Sequence, residues 1–139
     1  MGNRVNRKTN MRSEVRTLVA GVLQKRPEII FAYVFGSVTE SDSFRDIDVG
    51  VYVDQTIDTG GNFEYAMKLA GVLEASLGIP VDVILMNAAP DHLIHNISKG
   101  DLIVTRDEDR RVSFITNSWS KYFDFEPKRR QWLREVLEA

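Results

Sequence analysis

The sequence has 139 residues, 43% of them hydrophobic and 27% charged, a formal net charge of −2 and no cysteine. A chain of this length buries about two-thirds of its unfolded surface without cross-links, and the absence of cysteine excludes a disulfide framework and any thiolate metal site. The charge balance makes nucleic acid an unlikely partner. No apolar run reaches the roughly 20 residues of a membrane span, and the start shows no signal segment, so a cytoplasmic location without membrane contact is expected.

Residues 1–12 hold Arg4, Arg7, Lys8 and Arg12 with no acid and no apolar period. They read as a flexible basic arm, either solvated or in contact with nucleic acid or an acidic partner. A single domain is expected over residues 13–139. Ser13 stands as the N-cap of a helix whose Val15, Leu18, Val19, Val22 and Leu23 recur at helical spacing, and Pro27 closes it. The continuous apolar run Ile29 to Phe35 predicts a strand buried on both faces.

A turn of small residues, Gly36-Ser37, follows that strand, and Asp46-Ile47-Asp48-Val49-Gly50-Val51-Tyr52-Val53 reads as the next one. The short connection without a helix predicts an antiparallel pair. Side chains alternate along a strand, so Asp46 and Asp48 share one face, about 7 Å apart, while Ile47, Val49, Val51 and Val53 line the other. Two carboxylates side by side repel, and a divalent cation removes the conflict; Mg²⁺ takes such oxygens together with phosphates and water. Gly36 lets backbone N–H groups approach an anion, and Ser37 adds a hydroxyl donor. Gly50, on the aspartate face, leaves room on the strand for a ligand. Arg45 is either a phosphate contact or the partner of a loop acid.

Asn62 is expected to cap a helix with Phe63, Ala66, Met67, Ala70, Leu73 and Leu77 on its buried face and Gly78 past its end. A strand at Val81 to Met86 then lies parallel to the Asp46 strand by the right-handed crossover rule, which sets Asp82 beside Asp46 and Asp48. Pro90 opens a short helix ended by Gly100, and Leu102-Ile103-Val104 forms an edge strand. His92 and His95 stand one turn apart, but two histidines without a further nitrogen or sulfur ligand fall short of a zinc site. From Asp107 onward the pattern predicts two helices separated at Pro127. Trp119, Tyr122 and Trp132 are candidates either for burial or for an interface, and Lys128, Arg129, Arg130 and Arg134 make a basic face. The fold class is α+β, a mixed sheet of about four strands with helices packed on it.

Gly-Ser, a short spacer, Asp-x-Asp on a strand and a third carboxylate on a later strand together resemble the signature of the DNA polymerase β-type nucleotidyltransferase superfamily, over about residues 13 to 106. The small size is similar to its minimal members, commonly the antitoxins of HEPN/MNT toxin–antitoxin pairs. The Arg-Gly pair frequent after the Gly-Ser turn is replaced by Thr39-Glu40-Ser41. The resemblance implies a nucleotidyltransferase fold in which Asp46, Asp48 and Asp82 hold two Mg²⁺ ions, Gly36, Ser37 and Arg45 contact the triphosphate of ATP, and AMP passes to a hydroxyl, in the first place on a small helical HEPN toxin. The alternatives are an antitoxin of the same fold that acts by contact alone, a small-molecule acceptor, and an unrelated receiver-like phosphoacceptor. A homodimer or a toxin complex is the expected assembly.

Overall fold

A computed structural model of the chain describes residues 11–36, 46–56 and 60–138. In order it runs α1 (Met11–Leu23), β1 (Ile29–Phe35), β2 (Ile47–Val53), α2 (Asn62–Leu77), β3 (Val81–Leu85), a 3₁₀ turn (Met86–Ala88), α3 (Asp91–Ser98), β4 (Asp101–Thr105) and α4 (Glu108–Glu138). The four strands form one mixed sheet in the order β3-β2-β1-β4. β1 is antiparallel to β2 and to β4, whereas β2 and β3 are parallel. The expected antiparallel pair and the parallel crossover through α2 are both present. Most of the basic arm, residues 1–10, lies outside the described residues, but Arg12 belongs to α1.

β1 is buried along its whole length because it has strands on both sides and helices over both faces. On one face Val15, Val19 and Leu23 of α1 and Leu69, Leu73 and Leu77 of α2 close over Ala32 and Val34 and over Ile47, Val49, Val51 and Val53. The period of two along β2 thus fills one core with the odd-numbered residues. On the other face Phe31, Tyr33 and Phe35 meet Met86, Ile94 and Ile97, with Tyr52 and Phe114 alongside. Phe31 stacks on Tyr52 at 4.8 Å, and Phe114 tilts against the same ring at 4.7 Å, separations at which offset aromatic pairs gain beyond their area.

Four expectations need correction. The buried stripe of α2 is Tyr65, Leu69, Leu73 and Leu77, whereas Phe63 and Met67 are 80% and 60% exposed. Both sets satisfy a helical period; the inward one carries Tyr65, whose hydroxyl donates to Glu28 Oε2 at 2.7 Å, so a ring with a polar tip is satisfied at the sheet end. Asn62 is the first helical residue rather than the cap, and α1 starts at Met11, two residues before Ser13. The C-terminal segment is one helix of 31 residues with Pro127 inside it. Proline forfeits its N–H bond to the preceding turn, but its φ is already helical, and the strong helix formers that follow carry the helix on.

Arg106 closes the sheet end opposite the aspartates. Its Nε donates to the Ile29 carbonyl at 2.8 Å and its Nη2 to the Gln24 carbonyl at 2.5 Å, a cation set against carbonyls left over at the end of α1.

Candidate active site

The mouth of β2 gathers the residues that the sequence singles out. Asp48 is paired with Asp82 across the parallel ladder and with Phe35 across the antiparallel one. Adjacent strands lie about 4.8 Å apart, so the two carboxylate-bearing positions are immediate neighbours. Asp46 precedes the first residue of β2, whose N–H is bonded to the Pro80 carbonyl at 3.0 Å. That bond fixes the entry to β2 against the entry to β3. Asp46 and Asp82 are exposed and Asp48 is half-buried.

Gly36 completes the arrangement. It has φ +81°, a left-handed conformation that favours glycine, and a Cβ added there would collide with Oδ2 of Asp48. Steric room and backbone conformation therefore both demand glycine at the one place where the turn meets the acidic strand. Ser37 and Arg45, expected at the phosphates, lie outside the described residues.

The electrostatics follow from this crowding. Partial burial pushes the Asp48 carboxyl above the ordinary carboxylate range, and the charges of Asp46 and then Asp82 push it further in the same direction. The donor set consists of hard oxygens with like charges, which fits a magnesium-type cation in chemistry and in charge. Among the described residues no three ligating side chains converge into a closed metal cage, so the protein offers an open set. Mutual repulsion shows that the acids are near one another; the lack of a cage shows that they do not wrap a point by themselves.

Gly50 has a different role from the expected one. A Cβ there would stand 2.8 Å from Cγ2 of Ile97 and 3.3 Å from the sulfur of Met86. The space over the strand is occupied by α3, and the glycine serves packing rather than a ligand. The edge of β4 adds a feature that the sequence pattern did not reveal: Arg12 reaches Asp101 through Nε and Nη2, each at 3.3 Å, and Arg16 approaches it at 3.8 Å. Asp101 pairs with Val34, near the end of β1, so these arginines belong to the sheet end that carries the carboxylates. Charge alone groups Arg12 with the arm and gives no sign of a carboxylate 89 residues away. His95 lies in a ring cluster, 4.4 Å from both Trp119 and Tyr122. Desolvation lowers its pKa, with the Lys99 charge adding to the effect. A cleft of about 720 Å³ between α1 and α2 includes Pro27 and Glu28 and so opens at the far end of β1 from the carboxylates.

A four-stranded mixed sheet bearing acids at the mouth of two parallel strands, next to a left-handed glycine turn, defines a nucleotidyltransferase fold. The sequence matches the family described as Polymerase beta, Nucleotidyltransferase over residues 19–109, and the chain belongs to that family. Among solved structures it is similar to a chain of a toxin–antitoxin complex with AMP-PNP, at TM-score 0.70 and 22% identity, covering 88% of this chain and 98% of the other. It is likewise similar to a chain of the Shewanella oneidensis complex of tri-AMPylated HEPN toxin with MNT antitoxin, at TM-score 0.65, 22% identity and the same coverage. An MntA–HepT complex gives TM-score 0.67 and 20% identity, covering 90% of this chain and 98% of that one. At these identities the likeness establishes the fold. No curated protein matches the sequence. Among the described residues no helix is long and apolar enough to cross a membrane.

Proposed function

We propose that the chain is a Mg²⁺-dependent nucleotidyltransferase that moves AMP from ATP to a side-chain hydroxyl of a small helical HEPN-type toxin, and so acts as an antitoxin. The observation that carries this reading is the contact of Gly36 with Asp48, next to the Asp48–Asp82 pair: a turn suited to phosphate is pressed against an acidic strand suited to a cation. Family membership supports the reaction class, and the neighbours with AMP-PNP and with an AMPylated HEPN toxin support the nucleotide and the acceptor.

Asp46, Asp48 and Asp82 are the residues to hold the cation, with phosphate and water oxygens completing an open donor set. Mg²⁺ bound there would neutralise charge on the phosphoryl group. Gly36, with Ser37 beside it in sequence, would seat the triphosphate, and Arg45 would lend it charge. Asp82, exposed at the strand mouth, would orient the acceptor hydroxyl and take its proton. The new bond joins the acceptor oxygen to the α-phosphorus while the bond to the β-phosphate oxygen breaks, and pyrophosphate leaves. Positioning and charge neutralisation suffice for such a transfer.

The test is transfer of label from α-phosphate-labelled ATP, with Mg²⁺, onto a co-purified helical HEPN protein, comparing wild type with Asp48→Asn. Label that requires the wild-type carboxylate supports the proposal. If wild type leaves the bound partner unlabelled, the activity is absent and the protein is an antitoxin by contact.

A further inference from the structure

Helix α4 carries a heptad seam that continues beyond its own domain. Positions 111, 115, 118 and 122 alternate by four and three residues, and each is engaged within the chain. Arg111 Nη1 donates to the Tyr33 hydroxyl at 2.7 Å, Ile115 joins the aromatic core, Ser118 Oγ donates to Asp91 Oδ1 at 2.8 Å, and Tyr122 stacks on His95. The same alternation goes on through Phe125, Arg129, Trp132 and Val136. Here Phe125, Trp132 and Val136 are 62%, 61% and 53% exposed. The distal segment, residues 125–138, spans about 21 Å of helix. Apolar residues at this spacing mark a stripe that packs against another helix.

We propose that this segment pairs with the same segment of a second copy of the chain, antiparallel, about a two-fold axis near residues 130 and 131. The seam is self-complementary only in that sense. In an antiparallel pair Phe125 meets Val136 of the second copy, and Arg129 lies over Trp132 of the second copy in a cation–π contact. Beside the seam Lys128 stands against Glu135 of the second copy. A parallel pair would instead stack Arg129 on Arg129, like charge on like, at the centre of the contact. Pro127 falls off the seam, so the helix tolerates it without disturbing the contact surface. A closed two-fold contact satisfies both copies at once and does not propagate into a fibre. The expected area is that of two short helices, at the low end of specific interfaces, so the dimer is a weak one.

Sedimentation of the full chain over a dilution series reads the association. A monomer–dimer equilibrium is expected, and Trp132→Ala should raise the dimer dissociation constant by about tenfold or more, as loss of a central aromatic anchor does. Its melting temperature at low concentration should stay unchanged, because Trp132 is exposed in the single chain. Lys128→Glu should weaken the dimer, and adding Glu135→Lys should restore it. The absence of native cysteine allows a direct reading of register. A mixture of Phe125→Cys and Val136→Cys chains should form the mixed disulfide in excess over either homodisulfide. A chain that stays monomeric at every concentration would overturn the proposal and assign the seam to a helix of another protein. Dominance of the 125–125 disulfide, or a Trp132→Ala chain that dimerises as well as wild type, would overturn it too.

Discussion

The two faces of β2 divide stability from chemistry. Ile47, Val49, Val51 and Val53 are sealed under α1 and α2 in an aliphatic core. On the opposite face Asp48 is pressed against Gly36, Gly50 is covered by Ile97, and Tyr52 is stacked on Phe31. The first face is satisfied by burial alone. The second changes along its length from an aromatic core to a cluster of repelling carboxylates, and nothing about burial favours that end. A seven-residue strand thus anchors the fold through one set of side chains and keeps an unfavourable charge arrangement through the other.

That division is broken most directly by Asp48→Asn. Transfer of AMP should fall about a thousandfold, roughly 4 kcal/mol in the barrier, as when a charge-stabilising group is lost from an active site. Circular dichroism should show an intact fold. Leu69→Ala tests the other face: a fully buried leucine of α2 is truncated, and urea unfolding should report a loss of about 3 kcal/mol. Activity per folded molecule should be unchanged. Gly50→Ala falls between the two, because the added methyl group pushes on Ile97 from the acidic face. A loss of about 2 kcal/mol in stability is expected, with the acids still in place. Tyr65→Phe removes the hydroxyl that Glu28 accepts and should cost about 1 kcal/mol in the same measurement.

The smallest effect concerns pH. The Asp48 carboxyl is raised by burial and by its acidic neighbours, so the folded chain holds that proton more tightly than the unfolded one. The cost of its charge is fully present at neutral pH. It disappears as pH falls through the raised value and is gone below the ordinary carboxylate range near about 3.9. Without divalent cation, Asp48→Asn should therefore melt slightly above wild type at pH 7, and the gap should close in acid. Added Mg²⁺ should raise the melting temperature of wild type and leave the variant where it was.

Much of this was legible in sequence because it depends on local period. The alternation along Ile47 to Val53 separates the faces of β2, and the strand–helix–strand order sets Asp82 beside Asp48. What failed depends on neighbours distant in sequence. Phe63 and Met67 satisfy the helical period as well as Tyr65 and Leu69 do, and what separates the two stripes is the packing of α2 on the sheet and α1, with Glu28 placed to accept from Tyr65. Gly50 shows from its period that it shares the aspartate face, but not that Ile97 lies over it. Pro127 signals a break by local preference, and the helix runs through it. Arg12 and Asp101 meet through the packing of α1 along β4, which no spacing encodes.

The parallel pairing of β2 with β3 also has a consequence for how the chain reaches its native state. β1 and β2 follow one another closely and pair as neighbours, whereas β3 reaches β2 only after the whole of α2 has been laid across the sheet. Contacts that close long loops are expected to form late in folding. If β3 docks after the rate-limiting barrier, the repulsion of Asp82 with Asp48 acts on how fast the native chain opens rather than on how fast it forms. Relief of that repulsion should appear as slower unfolding at an unaltered folding rate.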